Sequence, residues 1–250
     1  MRLGFLIMLA AAMPLFGTIV QNTNVTSNVI FGTGNINGGF TVDQANGIEL
    51  GLRAKTRFPF ALNDFTNDGA GNFYFPAGNF GPGGTSSSWN FDFSINSDYL
   101  TGNVKLNAYT YKLELDTNAS MATTFNNVGD PINQTCTDDA FGNNSTANGA
   151  GAFVGNCGQP GSAATYASLI GSNNVGQNSS RFKFFPGLMP AFDPAMPGIY
   201  TIRLSAFSGT NLLSQTSINV VVTPEPAALG LIGVGLAGMA LLRRLKARSA

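Results

Sequence analysis

The chain contains no histidine. That removes the commonest general base, the Ser-His-Asp and Cys-His arrangements, and the usual zinc or copper ligand. Charge is scarce too, with Asp, Glu, Lys and Arg making up 10% of the 250 residues. The formal net charge is zero, but Arg2 sits at one end and Arg243, Arg244, Lys246 and Arg248 at the other. Between Asn22 and Val222 stand 8 basic and 12 acidic residues, a net charge of −4. A body of that sign lacks the basic footprint that nucleic-acid binding needs. Cysteine is nearly absent, with Cys136 and Cys157 alone.

Gly, Asn, Ser, Thr and Phe are abundant instead, and 44% of the residues are apolar, enough to bury a core. This composition resembles that of secreted β-rich surface proteins more than that of a cytosolic enzyme. Several segments alternate with period two. "WNFDFSI" sets Trp89, Phe91, Phe93 and Ile95 against Asn90, Asp92 and Ser94, while "YTYKLEL" and "YTIRLSA" repeat the pattern from Tyr109 and Tyr200. "INVVV" closes the body at Val222. Such segments predict half-buried antiparallel strands in an all-β sandwich. Weaker strand candidates are Val25 to Phe31, Phe40 to Val42, Ile48 to Leu52 and Phe73 to Phe75, and one short helix is expected over Ala163 to Ile170, capped by Ser162 and ended by Gly171. "PGIYTIRLSAF" resembles the corner of Ig-like sandwiches, where a tyrosine entering a late strand bonds back to backbone. Here Met196 stands where the Ig pattern has aspartate, so Ig-like topology is a suggestion from Tyr200 alone. The Trp89, Phe91, Phe93 stripe reads as core, with a sugar-stacking platform as the other reading. Arg53, Lys55 and Arg57 alternate along one strand and read as a solvated or edge-protecting face.

No catalytic constellation is visible. Cys136 and Cys157 flank 20 residues of Gly/Asn-rich loop with little apolar content, and an exported chain with two cysteines favours a disulfide between them. Closing that loop contributes about 3 kcal/mol in the chain-entropy model. Asp130, Asp138 and Asp139, with Asn133, Asn143 and Asn144, make an oxygen-rich loop of the kind that holds calcium, but the spacing matches no EF-hand or nonapeptide repeat, and a solvated loop of Asx-turns is the plainer reading. No metal ligand set and no cofactor are assigned. A carboxylate-dependent hydrolase stays open, because only the separation of carboxylates in space decides it.

The two ends carry addresses. "MRLGFLIMLAAAMPLFGTIVQ" has one positive residue followed by an apolar run from Leu3 to Phe16, the layout of a secretory signal peptide, assigned to residues 1–21. At the other end Ala227 to Leu242 form a 16-residue apolar stretch, about 24 Å long as a helix and slightly short of the roughly 30 Å hydrocarbon core. Glycines recur through it, and the basic cluster Arg243, Arg244, Lys246 and Arg248 should remain cytoplasmic with the body opposite. Pro224 and Pro226 keep the strip before it extended around Glu225.

These residues together, "TPEPAALGLIGVGLAGMALLRRLKAR", resemble the PEP-CTERM sorting signal of bacterial exported proteins, with Thr223 where valine is common. The resemblance covers residues 223–250. It implies recognition by an exosortase, a membrane enzyme that cuts near Pro224-Glu225-Pro226, transient residence in the inner membrane, and delivery to the cell surface or extracellular matrix. The middle, about residues 88 to 222, is also similar to PEP-CTERM exoproteins with one β-rich domain. The expectation is therefore a signal peptide (1–21), a β-sandwich (22–222) and a sorting tail (223–250). Its expected role is non-catalytic, in adhesion or in holding extracellular polysaccharide, a link that the resemblance supplies through biofilm-forming hosts.

Overall fold

Alternation becomes pairing in the computed structural model of the chain, which describes residues 17–30, 35–185, 187 and 192–224. The strands are β1 (Thr18–Thr23), β2 (Phe40–Ala45), β3 (Ile48–Thr56), β4 (Asn72–Pro76), β5 (Trp89–Asn96), β6 (Thr110–Asp116) and β7 (Phe125–Gly129). β8 (Ala140–Gly142), the single α-helix described, α1 (Ser162–Ser172), β9 (Val175–Ser180), β10 (Gly198–Ser208) and β11 (Asn211–Thr223) complete the order. One sheet runs β1-β2-β3-β5-β9-β8 and the other β4-β11-β10-β6-β7. β2 and β3 are joined by Asn46-Gly47, both at positive φ (53° and 79°), the two-residue turn whose twist matches an antiparallel pair.

The expectation of purely antiparallel pairing needs correction, because β4 runs parallel to β11. β4 reaches the second sheet directly from the first, burying Phe73 and Phe75 and covering the edge that β11 would otherwise expose. Residues 22–82 are accordingly no separate unit, since β2 and β3 are inner strands of one sheet and β4 closes the other. Ile48, Leu50, Leu52, Trp89, Phe91 and Phe93 from the first sheet share one buried cluster with Phe73, Leu113, Leu115, Ile202, Leu204, Ile218 and Val220 from the second. Trp89 lies within 6.5 Å of the rings of Phe75, Phe182, Phe192 and Tyr200. The aromatic stripe is therefore core. The Tyr200 hydroxyl donates to the Met196 carbonyl at 2.8 Å, the bond back to backbone that its position suggests.

Two local expectations shift. α1 begins at Ser162 itself, after Gly161 at φ 84°, and runs through Gly171 to Ser172. The Ser162 hydroxyl is engaged elsewhere, donating to the Cys157 carbonyl at 2.7 Å. Residues 25–30 form no strand; Phe31 lies outside the described residues. They make an unpaired strap across the outer face of the first sheet, and side chains replace the ladder. Gln177 accepts from the N–H groups of Val29 and Ile30 and donates to the Ser27 carbonyl, while Glu49 accepts from the N–H and hydroxyl of Thr26. Under that strap both faces of β5 are buried.

Candidate functional site

β3, β5 and β9 lie side by side, so their outward residues meet: Arg53 is opposite Asp92, and Asp92 is opposite Ser179. This geometry overturns the predicted solvated face for Arg53 and Lys55, while Arg57 is exposed as expected. β3 is an inner strand, and Arg53 and Lys55 are 0% and 2% exposed. Arg53 Nε donates to Asp92 Oδ2 at 2.7 Å, and Lys55 Nζ lies 3.0 Å from the same oxygen. The Arg53 guanidinium sits between the rings of Phe40 and Phe65, 4.2 Å from each centroid, and donates to the carbonyls of Ile36 and Gly38. Burial lowers the pKa of both cations, and Asp92 opposes that shift. Two cations share one carboxylate in this dry site, and Arg53 Nη2 and Asp92 Oδ1 are buried there without a hydrogen-bond partner, so the cluster depends on its charge pairing.

One step further, just past the end of β3, the face opens and Arg57 is exposed. β8 pairs with β9 only as far as Gln177, leaving Asn178 to Ser180 as a free edge. A groove of about 470 Å³ lies there, lined by Lys55, Arg57, Asn90, Asp138, Arg181 and Phe184. A second cleft of about 360 Å³ shares Asp138 and Phe184 and adds Asp139 and Asn178. The backbone N–H groups of Arg57 and Phe58 both donate to the Ser88 carbonyl, which fixes this corner. Arg57 and Arg181 place their guanidinium carbons 5.2 and 5.8 Å from the one Phe58 ring, and Arg181 also lies 4.5 Å from the Phe184 ring. Burial, then the charge of Arg57, lowers the Arg181 pKa. Among the described residues neither arginine has a carboxylate within ion-pair distance.

The acidic loop is divided among structural tasks. Asp130 accepts from the N–H groups of Tyr111, Ile132 and Asn133 and from the Asn133 amide. Asn178 donates to both Asp138, at 3.0 Å, and Asp139, at 2.7 Å. Asp139 also accepts from the Tyr166 hydroxyl at 2.8 Å, and its burial pushes the carboxyl up to about 6 against the hydrogen bonds from Thr137, Tyr166 and Asn178. Asn143 closes a local turn onto Ser145, and Asn144 joins a buried amide network with Asn96 and Asn174. Asp116 accepts from the Asn118 N–H, the Asx-turn geometry. No group of three or more Cys, Asp or Glu side chains among the described residues is placed to hold a metal ion.

Cys136 and Cys157 are bonded to each other, with Cα atoms 5.6 Å apart. The intervening loop has more core than its composition suggests: β8 lies within it, and Phe141 is buried with its ring 5.2 Å from that of Tyr166. Sequence reasoning missed Arg181, Phe184 and the pairing partner Asp92. The only available signal for Asp92 was its place as the one charge on the polar face of "WNFDFSI".

At the termini, residues 1–16 of the expected leader lie outside the described residues, and Thr18 to Gln21 form the first part of β1. Pro224 follows β11 directly. Glu225, Pro226, the stretch Ala227 to Leu242 and the cluster Arg243, Arg244, Lys246 and Arg248 lie outside the described residues. No helix among the described residues is long and apolar enough to cross a membrane.

A β-rich body followed at once by such a strip defines a class of exported protein marked at its C-terminus. The particular mark is the PEP-CTERM protein-sorting motif, whose family model matches residues 222–244. The motif implies export, handling by an exosortase and a surface or extracellular destination. No curated protein and no solved structure matches the chain.

Proposed function

We propose that the chain is a non-catalytic protein of the bacterial cell surface or extracellular matrix, whose β-sandwich holds extracellular polysaccharide or mediates adhesion. An N-terminal signal peptide starts its export. The apolar stretch Ala227 to Leu242 holds it in the inner membrane until the exosortase acts at Pro224-Glu225-Pro226. The observation that carries this reading is the junction of body and motif: β11 stays paired with β4 as far as Thr223, and the matched motif begins at residue 222. The folded body is thus delivered whole, with no spacer to lose. The groove at the free edge of β9 is the site assigned to the polymer, because it combines basic, amide and aromatic groups in one concave surface.

Replacing Pro224, Glu225 and Pro226 together by alanine tests the sorting half. The protein should then accumulate in the membrane fraction, whereas unchanged release would sink it. Retention on columns of neutral and acidic bacterial polysaccharides tests the binding half, and passage through all of them would remove it.

A second reading has one specific support. Asp138 and Asp139 face one cleft, share the Asn178 amide, and Asp139 has the raised pKa that suits a general acid. Asp139 is buried and bonded to Tyr166, which favours a structural role. Sugar release from polysaccharide that disappears in both Asp138→Asn and Asp139→Asn would establish the hydrolase instead.

A further inference from the structure

The geometry points to a carboxylated sugar, a uronate unit of an acidic polysaccharide, as the ligand of the groove between β3 and β9. This inference deepens the polysaccharide reading above and rests on it.

Three features carry it. The body has a net charge of −4, yet Arg57 and Arg181 crowd one phenyl ring without a carboxylate partner among the described residues. Lys55 stands behind them, its pKa lowered by burial and, among lesser causes, by Arg57. The repulsion of Arg57 on Arg181 is relieved by an anion, and although Arg181 Nη1 donates to Ser86 Oγ, a guanidinium presents the forked donors that a carboxylate accepts. The rest of the lining is different in kind. Asp138 and the Asn90–Ser179 pair offer acceptors suited to hydroxyl groups, and a purely anionic ligand would be repelled by Asp138. The ring of Phe184, 56% exposed, flanks the groove next to Arg181 and can stack on the C–H face of a sugar. A ligand that carries a carboxylate, hydroxyls and an apolar face satisfies all three kinds of group.

The test uses the full chain in zwitterionic micelles, titrated calorimetrically with oligogalacturonate, with its methyl ester, and with inorganic phosphate as competitor. Oligogalacturonate should bind at least about tenfold more tightly than the ester, a difference that a charge-assisted forked contact supplies. Arg57→Gln with Arg181→Gln should remove that preference while the melting temperature stays at the wild-type value. Phe184→Ala should weaken acid and ester alike, a readout that loss of charge would not give. Equal binding of acid and ester would overturn the uronate assignment and leave the general polysaccharide reading standing. Binding of neither would remove both. Displacement by phosphate at equal concentration would make the groove a simple anion site and overturn the assignment as well.

Discussion

The molecule contains the same ionic arrangement twice, once dry and once wet. In the first sheet Arg53 and Lys55 share Asp92, with side chains 0%, 2% and 0% exposed. In the second, Arg203 and Lys112 share Glu114, with the cations 30% and 39% exposed. Each pairs an arginine with its direct cross-strand carboxylate at 2.7 Å from Nε, though Lys55 reaches Asp92 from the next strand while Lys112 shares β6 with Glu114. The difference is the cover. Residues 35–38, Phe40 and Phe65 close the first, while at the second the Phe125 ring lies 3.9 Å from the Arg203 guanidinium carbon. Removing a carboxylate from the dry site strands two charges away from water; removing it from the wet site returns them to solvent.

Four perturbations break or sharpen that contrast. The largest effect is expected for Asp92→Asn, a loss of about 3–5 kcal/mol in denaturant unfolding, because Arg53 and Lys55 stay buried without their counter-charge. Asp139 extends the contrast to a buried carboxylate with no ion-pair partner among the described residues. Its pKa is raised to about 6, so it favours the folded state most below the ordinary carboxylate value near 4. That contribution fades as pH rises through about 6, a change of up to about 3 kcal/mol. Asp139→Asn should flatten this part of the stability profile relative to wild type between pH 4 and 7.

Gln177→Ala comes next. It leaves the strap's Val29 and Ile30 N–H groups and the Ser27 carbonyl without their partner, which should cost about 2–3 kcal/mol. The strap is bonded to the 35–38 segment that caps Arg53, through Asn28 to Asn35 and Asn37 to Val25, so its loss should also wet the Asp92 site, and the double variant with Asp92→Asn should lose less than the sum of the single losses. Glu114→Gln should have the smallest effect, about 1 kcal/mol or less and reduced by salt. Burial alone would raise the Glu114 pKa, but the hydrogen bonds from Arg203 and Lys112 outweigh it and hold it low. The difference from wild type should therefore be present at neutral pH and fade as pH falls below the unfolded value near 4.3.

The same contrast explains what could be read from the sequence. Alternation reports which side chains share a face, and it located β5, β6, β10 and β11 because their inward residues are apolar. It does not report what lies over the other face. Arg53, Lys55 and Arg57 look alike in sequence, yet residues 35–38 with Phe40 and Phe65 bury Arg53, Lys55 is buried at the groove wall, and Arg57 is exposed in the groove. The strap itself has no period to detect, since its backbone is satisfied by Glu49 and Gln177 rather than by a neighbouring strand. β8 was illegible for another reason: three residues inside a Gly/Asn-rich loop carry too little pattern, and Phe141 becomes core only when β9 and α1 close on it. The groove joins β3 to β9 across more than a hundred residues, a proximity that only the sheet order creates. The sorting motif was fully legible because it is recognised as a linear strip.

The central claim is that a folded body ending at β11 is exported and released at the strip that follows it. The most direct test is an intact mass of the protein recovered from the cell surface and medium of its host. The account predicts a chain ending close to Pro224-Glu225-Pro226 and two hydrogens lighter than its dithiol form, for the Cys136–Cys157 bond. A full-length C-terminus found only in the membrane would contradict it.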